Sequence, residues 1–354
     1  SWARRSWARR SWGKTILSLS RFETQRRALE EELKDVFSGR EGFLYDLLRY
    51  HFGWADQRGQ PEDLPLALRL QSLLALVCCE ALSGDFQVAL PAAAGIELVH
   101  NFTLVHSDVQ SGRVDQEDRP SIWWVWGPAQ AINAGDGLHA LGRTTIMRLA
   151  QRGVAADRVL RAVELLDGAC LTLCEGQYMD LDFQDQLLVT SGAYYDMIGR
   201  KTGALAGCSA ELGALAAGGD ESVCLKVRAA GNRLGMAWQI GQDINDFWGR
   251  RGDGMTASNV LNKKKSLPLI LAMETAELAV KRELGNIYAK RVLQPEDVSR
   301  VIEILDQAQA RQSSEDKARE LVDEALTALA DAGLAEERMG DLKFLSMWAL
   351  EGTG

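Results

Sequence analysis

From Phe22 onward, apolar residues recur at three- and four-residue spacing through almost every segment of this chain. Only a helix, with its 3.6-residue period, returns such positions to one side of the backbone. Alternating runs of period two, the mark of a half-buried strand, are missing, so no sheet is expected. The spacing predicts helices over about 23–50, 64–83, 86–109, 127–152, 156–178, 182–216, 220–248, 266–288, 295–310 and 315–333. Breaks between them carry turn-forming residues: Gly53 to Pro65, Gly84-Asp85, Ser111 to Pro120, Gly218-Gly219 and Gly249 to Ser258. Helices patterned in this way can bury their stripes only against one another. The expected fold is therefore all-α, one domain of ten or more helices over residues 22–354.

Composition narrows the function. A net charge of −9 argues against nucleic acid as the main partner. Cys78, Cys79, Cys170, Cys174, Cys208 and Cys224 lie inside apolar helical patterns, which reads as buried free thiols in a reducing cytoplasm. No uninterrupted apolar run reaches the ~18 residues of a membrane span. Residues 1–12 repeat Ser-Trp-Ala-Arg-Arg and close on Ser11-Trp12, with no apolar stretch beside them. Residues 1–21 are accordingly expected to be a disordered basic leader outside the fold, not a secretory signal.

The chemistry concentrates at Gln239-Ile240-Gly241-Gln242-Asp243-Ile244-Asn245-Asp246. Asp243 and Asp246 are three apart, so on a helix they share a face. Two carboxylates so placed form a handle for Mg²⁺, a hard cation that takes oxygen ligands and often bridges to a substrate phosphate. Upstream, His106-Ser107-Asp108-Val109-Gln110-Ser111 offers only Asp108 in the same register.

Read with their neighbours, these segments resemble the trans-isoprenyl diphosphate synthase (polyprenyl synthetase) family. Glu97-Leu98-Val99-His100 followed by Leu104-Val105-His106-Ser107-Asp108 is similar to the helix bearing the family's first aspartate-rich motif. Gly176-Gln177-Tyr178-Met179-Asp180-Leu181 and Tyr195 to Leu205 are close matches. Trp238 to Asp246 fits the second aspartate-rich motif, and Lys264-Lys265-Ser266-Leu267-Pro268 fits the closing segment. The resemblance implies a helical bundle with a central active-site cavity. It also implies a homodimer, or a heterodimer with an active synthase, and two or three Mg²⁺ ions, or fewer with the reduced first motif. Asp108, Asp243 and Asp246 would carry catalysis and, with Asn245, hold metal. Lys201, Thr202, Gln239, Lys264 and His100 would contact the diphosphate of a prenyl diphosphate substrate. Phe102 would floor the hydrocarbon tunnel at C15 to C20.

Departures from the family pattern shape the expected activity. The first motif, Asp-Asp-x-x-Asp in the family, reads Ser107-Asp108-Val109-Gln110-Ser111, and Gln242 replaces the leading Asp of the second. Two adjacent family arginines fall on Gln116 and Glu117, and the family's Gly-Lys-x-x-Arg clamp falls on Ala67 to Gln71, with Leu68 and Gln71 in the cationic positions. The Lys expected before Asn259 is replaced by Gly254. Without those cations a second, desolvated diphosphate is disfavoured. Trp123, Trp124, Trp126 and Trp238 would supply aromatic faces for a carbocation. The leading expectation is thus a terpene cyclase on a prenyl-synthase scaffold. The alternatives are a prenyltransferase, to an isoprenoid diphosphate or an aromatic acceptor such as indole, and a non-catalytic subunit of a heteromeric synthase.

Overall fold

The computed structural model describes residues 20–351 apart from 63, 65, 117–118, 187, 250–257 and 335. Glu117, Asp118, Gly254 and most of the basic leader therefore lie outside the described residues. The chain forms helices α1 (Glu23–Val36), α2 (Phe43–His51), α3 (Leu70–Ser83), α4 (Leu90–Ser111), α5 (Ile122–Trp126), α6 (Pro128–Ile146) and α7 (Ala156–Asp185). A second run follows: α8 (Ser191–Ile198), α9 (Ala204–Ala216), α10 (Glu221–Trp248), α11 (Ser258–Leu261), α12 (Leu267–Thr275), α13 (Leu278–Ala289), α14 (Pro295–Gln307), α15 (Ala310–Asp331) and α16 (Glu336–Glu351). Among the described residues the one pair of strands is a two-residue antiparallel ribbon, Asp115–Gln116 against Arg119–Pro120, a departure from the strandless expectation.

Several expected helices are divided by features that periodicity does not register. The 23–50 stretch breaks at Ser38 to Gly42, where Gly39 and Gly42 take positive φ. The helix expected from 64 begins at Leu70, because Arg69 adopts a left-handed conformation at its N-cap. Between α8 and α9 the backbone makes a π turn, Gly199–Gly203. A final helix, α16, extends beyond the expected end of the pattern and buries Leu342 and Leu345.

Two compact units are distinguished: the described residues up to Leu166 together with Leu212–Gly219, and Asp167–Glu211 together with the described residues from Asp220 onward. In the first, α4 packs along α6. A Cβ at Gly142 would stand 2.8 Å from Val99 Cγ2, and one at Gly95 2.6 Å from Ile146 Cγ1, so the absence of side chains lets these helices approach. Helix α3 is apolar on nearly all sides and buried along its length. The 87–111 segment is long and apolar enough by length and composition to cross a membrane, although Glu97, His100 and Asn101 interrupt its apolar run, and 72% of its most apolar window is buried in the fold. That is the condition of a core helix.

In the second unit, the 28-residue α10 runs beside α15. Its N-terminus is capped by Asp220, whose carboxylate accepts from Val223 N at 2.9 Å. Phe247, Leu269, Leu284, Val301 and Leu305 form a core where α12, α13 and α14 meet the end of α10. All six cysteines are free thiols; five are buried and Cys174 is exposed.

Candidate functional site

The second unit gathers most of the expected diphosphate and metal residues. Lys201 sits in the π turn and Lys264 in the segment before α12. Both reach one oxygen of Asp180 on α7, at 2.5 Å and 3.5 Å. Burial pushes the Asp180 carboxyl upward, but the two ammonium groups outweigh it and hold its pKa below the usual range. Burial, with Lys264 alongside, pulls the Lys201 amine down against the attraction of Asp180. Two cations that share one acceptor oxygen keep most of their N–H donors for another anion.

A second chain of contacts leads to Asp243. Thr202 Oγ1 donates to Gln239 Oε1 at 2.7 Å, and Gln239 Nε2 donates to Asp243 Oδ1 at 3.1 Å. On the other carboxylate oxygen, Tyr194 donates at 2.7 Å and the backbone N–H of Leu267, first residue of α12, at 3.2 Å. Burial raises the Asp243 pKa, while Tyr194, Lys264, Gln239 and Leu267 pull against the rise. Gln239 and Thr202, expected to contact phosphate, are engaged with each other, and through Gln239 they orient Asp243. Asp246 is also buried, one turn further along α10, and Asn245 is half-buried beside it. Among the described residues no three His, Cys, Asp or Glu side chains form a closed metal cage. Two buried carboxylates three residues apart on one helix nevertheless suit Mg²⁺, which usually takes one or two carboxylates and completes its octahedron with water and phosphate oxygens.

Asp180 and Tyr194 join the site although the sequence motifs do not single them out. Both lie within or beside segments matched to the family, and the register of the helix places Asp180 one turn beyond Gly176.

The remaining predicted residues lie in the first unit. Asp108, near the end of α4, is buried. That burial pushes its carboxyl up to about 6, with Asp115 adding to the rise and Arg113 opposing it. A carboxyl with a folded pKa above its unfolded value contributes stability at acid pH and loses it as pH rises toward 6. In metal-free buffer, Asp108→Asn is expected to raise the melting temperature at pH 8 and to change it little at pH 4. Equal shifts at both pH values would contradict this environment.

His100 and Phe102 point to different surroundings, as residues two apart on a helix must. His100 lies near Glu97 and Arg69, and burial pushes its pKa down. The Phe102 ring meets His106 and His139 edge-on, with centroids 5.3 and 5.2 Å away, in the contact of α4 with α6. Beside Leu68 and Gln71, Arg69 is committed to two buried carboxylates, Glu30 Oε2 at 2.9 Å and Glu97 Oε1 at 2.8 Å. Glu97 also accepts from Ser72 and Asn101. Among the tryptophans, Trp123 donates to Arg113 O, Trp126 packs on Tyr50, Trp124 is largely exposed and Trp238 is buried.

The polyprenyl synthetase sequence profile matches residues 67–305. A geranylgeranyl diphosphate synthase from Mycobacterium tuberculosis is 34% identical over 292 residues, 82% of each chain. A (2E,6E)-farnesyl diphosphate synthase from Mycobacterium bovis is 29% identical over 310 residues, 86% of this chain and 85% of the relative. A polyprenyl synthetase from Streptomyces coelicolor A3(2) superimposes with a TM-score of 0.84 at 29% identity, covering 93% of this chain and 98% of that structure.

Proposed function

Because the chain belongs to the polyprenyl synthetase family, we propose that it is a prenyltransferase that ionises an allylic prenyl diphosphate at the Asp180, Lys201, Lys264 and Asp243 cluster. The convergence of Lys201 and Lys264 on one Asp180 oxygen carries this reading. The relatives are named as geranylgeranyl and farnesyl diphosphate synthases, which supports transfer in place of the cyclisation expected from the motif departures.

Breaking the allylic C–O bond leaves a carbocation and a diphosphate anion, so the barrier falls where cations await that developing charge in a dry setting. Lys201 and Lys264 supply such cations, and Asp180 aligns both. Asp243 and Asp246, with Asn245 as a further oxygen, would hold Mg²⁺, which would supply Lewis-acid stabilisation of the departing diphosphate. Tyr194, Gln239 and Leu267 N–H fix the Asp243 carboxylate so that it need not reorganise as charge develops. Asp108 is proposed as a metal carboxylate of the first unit in its own right.

A second reading, transfer to a neutral acceptor such as an aromatic ring, is favoured by one observation. Arg69 is already neutralised by Glu30 and Glu97, and its neighbour Leu68 carries no charge. Product analysis separates these readings when the protein is incubated with Mg²⁺ and geranyl, farnesyl or geranylgeranyl diphosphate, with isopentenyl diphosphate or indole. Longer diphosphates are the expected product; prenylated indole would instead favour the second reading. Hydrocarbon or alcohol formed from a single substrate would overturn transfer. Silence broken only by adding an active synthase would favour a non-catalytic subunit.

A further inference from the structure

The π turn at Gly199–Gly203 is held from the side by one stripe of α10. Asn232, Met236 and Gln239 follow at four- and three-residue spacing, so they share a face of that helix. Asn232 Nδ2 donates to the carbonyl oxygen of Gly199, the first residue of the turn, at 3.0 Å. Met236 Sδ lies 3.7 Å from where a Cβ on Gly199 would be. Gln239 receives Thr202, the fourth residue of the turn. The amide of Asn232 fits only because Gly203 has no side chain: a Cβ there would stand 2.7 Å from Nδ2 and 3.0 Å from Cγ. From α7, Gly176 admits the backbone of Lys201 in the same manner, a Cβ standing 2.7 Å from Lys201 Cα.

The wide turn decides where three consecutive residues face. Arg200 pairs outward with Glu175 and Asp196, Lys201 turns inward to Asp180, and Thr202 reaches Gln239. A π turn is rare and is found most often at functional sites, and here side chains of α10 bond it from outside. We propose that Asn232 is a positioning residue: through the Gly199 carbonyl it sets the wide turn that presents Lys201 to the substrate diphosphate. The role of Lys201 in this inference rests on the function proposed above; the control of the turn by Asn232 does not.

Two measurements test it. A crystal structure of Asn232→Ala should show Gly199–Gly203 rewound toward an α-helix, with Lys201 Nζ withdrawn from Asp180. Asn232→Asp, which keeps the volume and loses the donor, should do the same, separating the hydrogen bond from packing. A π turn retained in both variants, with Lys201 still on Asp180, overturns the inference whatever the activity. Calorimetric titration with inorganic pyrophosphate and Mg²⁺ should find Asn232→Ala binding about tenfold more weakly, the scale of one lost hydrogen bond. That loss should vanish in a Lys201→Ala background and persist in Lys264→Ala, since only contacting or coupled residues depart from additivity. An equal loss in the Lys201→Ala background, or wild-type binding by Asn232→Ala, would refute the positioning role. Failure of the unaltered protein to bind pyrophosphate would instead count against the proposed function, leaving the inference to the crystal structures.

Discussion

Asp243→Asn is expected to lower turnover of an allylic diphosphate by about 10²–10³-fold, the loss typical when one charge-stabilising group is removed. The fold should survive, because the surrounding network can reverse. Gln239 can turn its amide so that its oxygen accepts from the new Asn nitrogen and its NH₂ donates to Thr202. Tyr194 and Leu267 N–H still find an oxygen on the other side. Asp243→Ala is a harsher change, since it leaves three donors buried without an acceptor at about 1–3 kcal/mol each. Steady-state kinetics beside a thermal melt distinguish the two outcomes. Unchanged turnover in a folded Asp243→Asn protein would reject a role for this carboxylate in holding metal.

The largest expected effect on stability lies in the first unit. Arg69→Met should cost about 3–5 kcal/mol, because it strands Glu30 and Glu97 as buried, unpaired charges. At the scale of a large domain this lowers the melting temperature by about 10 °C. Burial lowers the pKa of the arginine, but Glu97 and Glu30 more than compensate; burial likewise raises that of Glu97, and Arg69 reverses it. Around this triad, Trp54 donates to Glu30, Ser72 and Asn101 to Glu97, and His51 joins through Asn101 Oδ1 at 2.9 Å. Burial pushes His51 down to about 4, so the ring is neutral and carries its proton on Nε2, facing an oxygen that can only accept. Adding Glu30→Gln and Glu97→Gln to Arg69→Met should recover most of the loss. A melting temperature within a degree or two of the parent after Arg69→Met alone would contradict the triad.

How far the sequence foretold these features depends on what each rests on. The helices of α10 and α15 were legible because long apolar stripes follow directly from packing one face. The second unit's Lys201, Lys264, Thr202, Gln239 and Asp243 were singled out and are brought together, since motif segments carried them at fixed register. Asp180 lies within its matched segment with nothing local to mark it: an acid on a helix looks like any solvated one until the lysines facing it are known. Tyr194 and Tyr195 are adjacent, and only the rotation of α8 reveals which reaches Asp243. The π turn could not be read, since it differs from an α-helix by one residue per turn and is held by Asn232 from another helix. The left-handed Arg69 was hidden for a related reason. Two glutamates distant in sequence, Glu30 and Glu97, fix its side chain where local preference would continue the helix.

The most direct measurement is a crystal structure of the protein with Mg²⁺ and farnesyl thiodiphosphate, which resists ionisation. The diphosphate is expected within hydrogen-bond reach of Lys201 and Lys264, with metal on Asp243. A diphosphate bound elsewhere, with both lysines still confined to Asp180 and no metal on Asp243, would contradict the account.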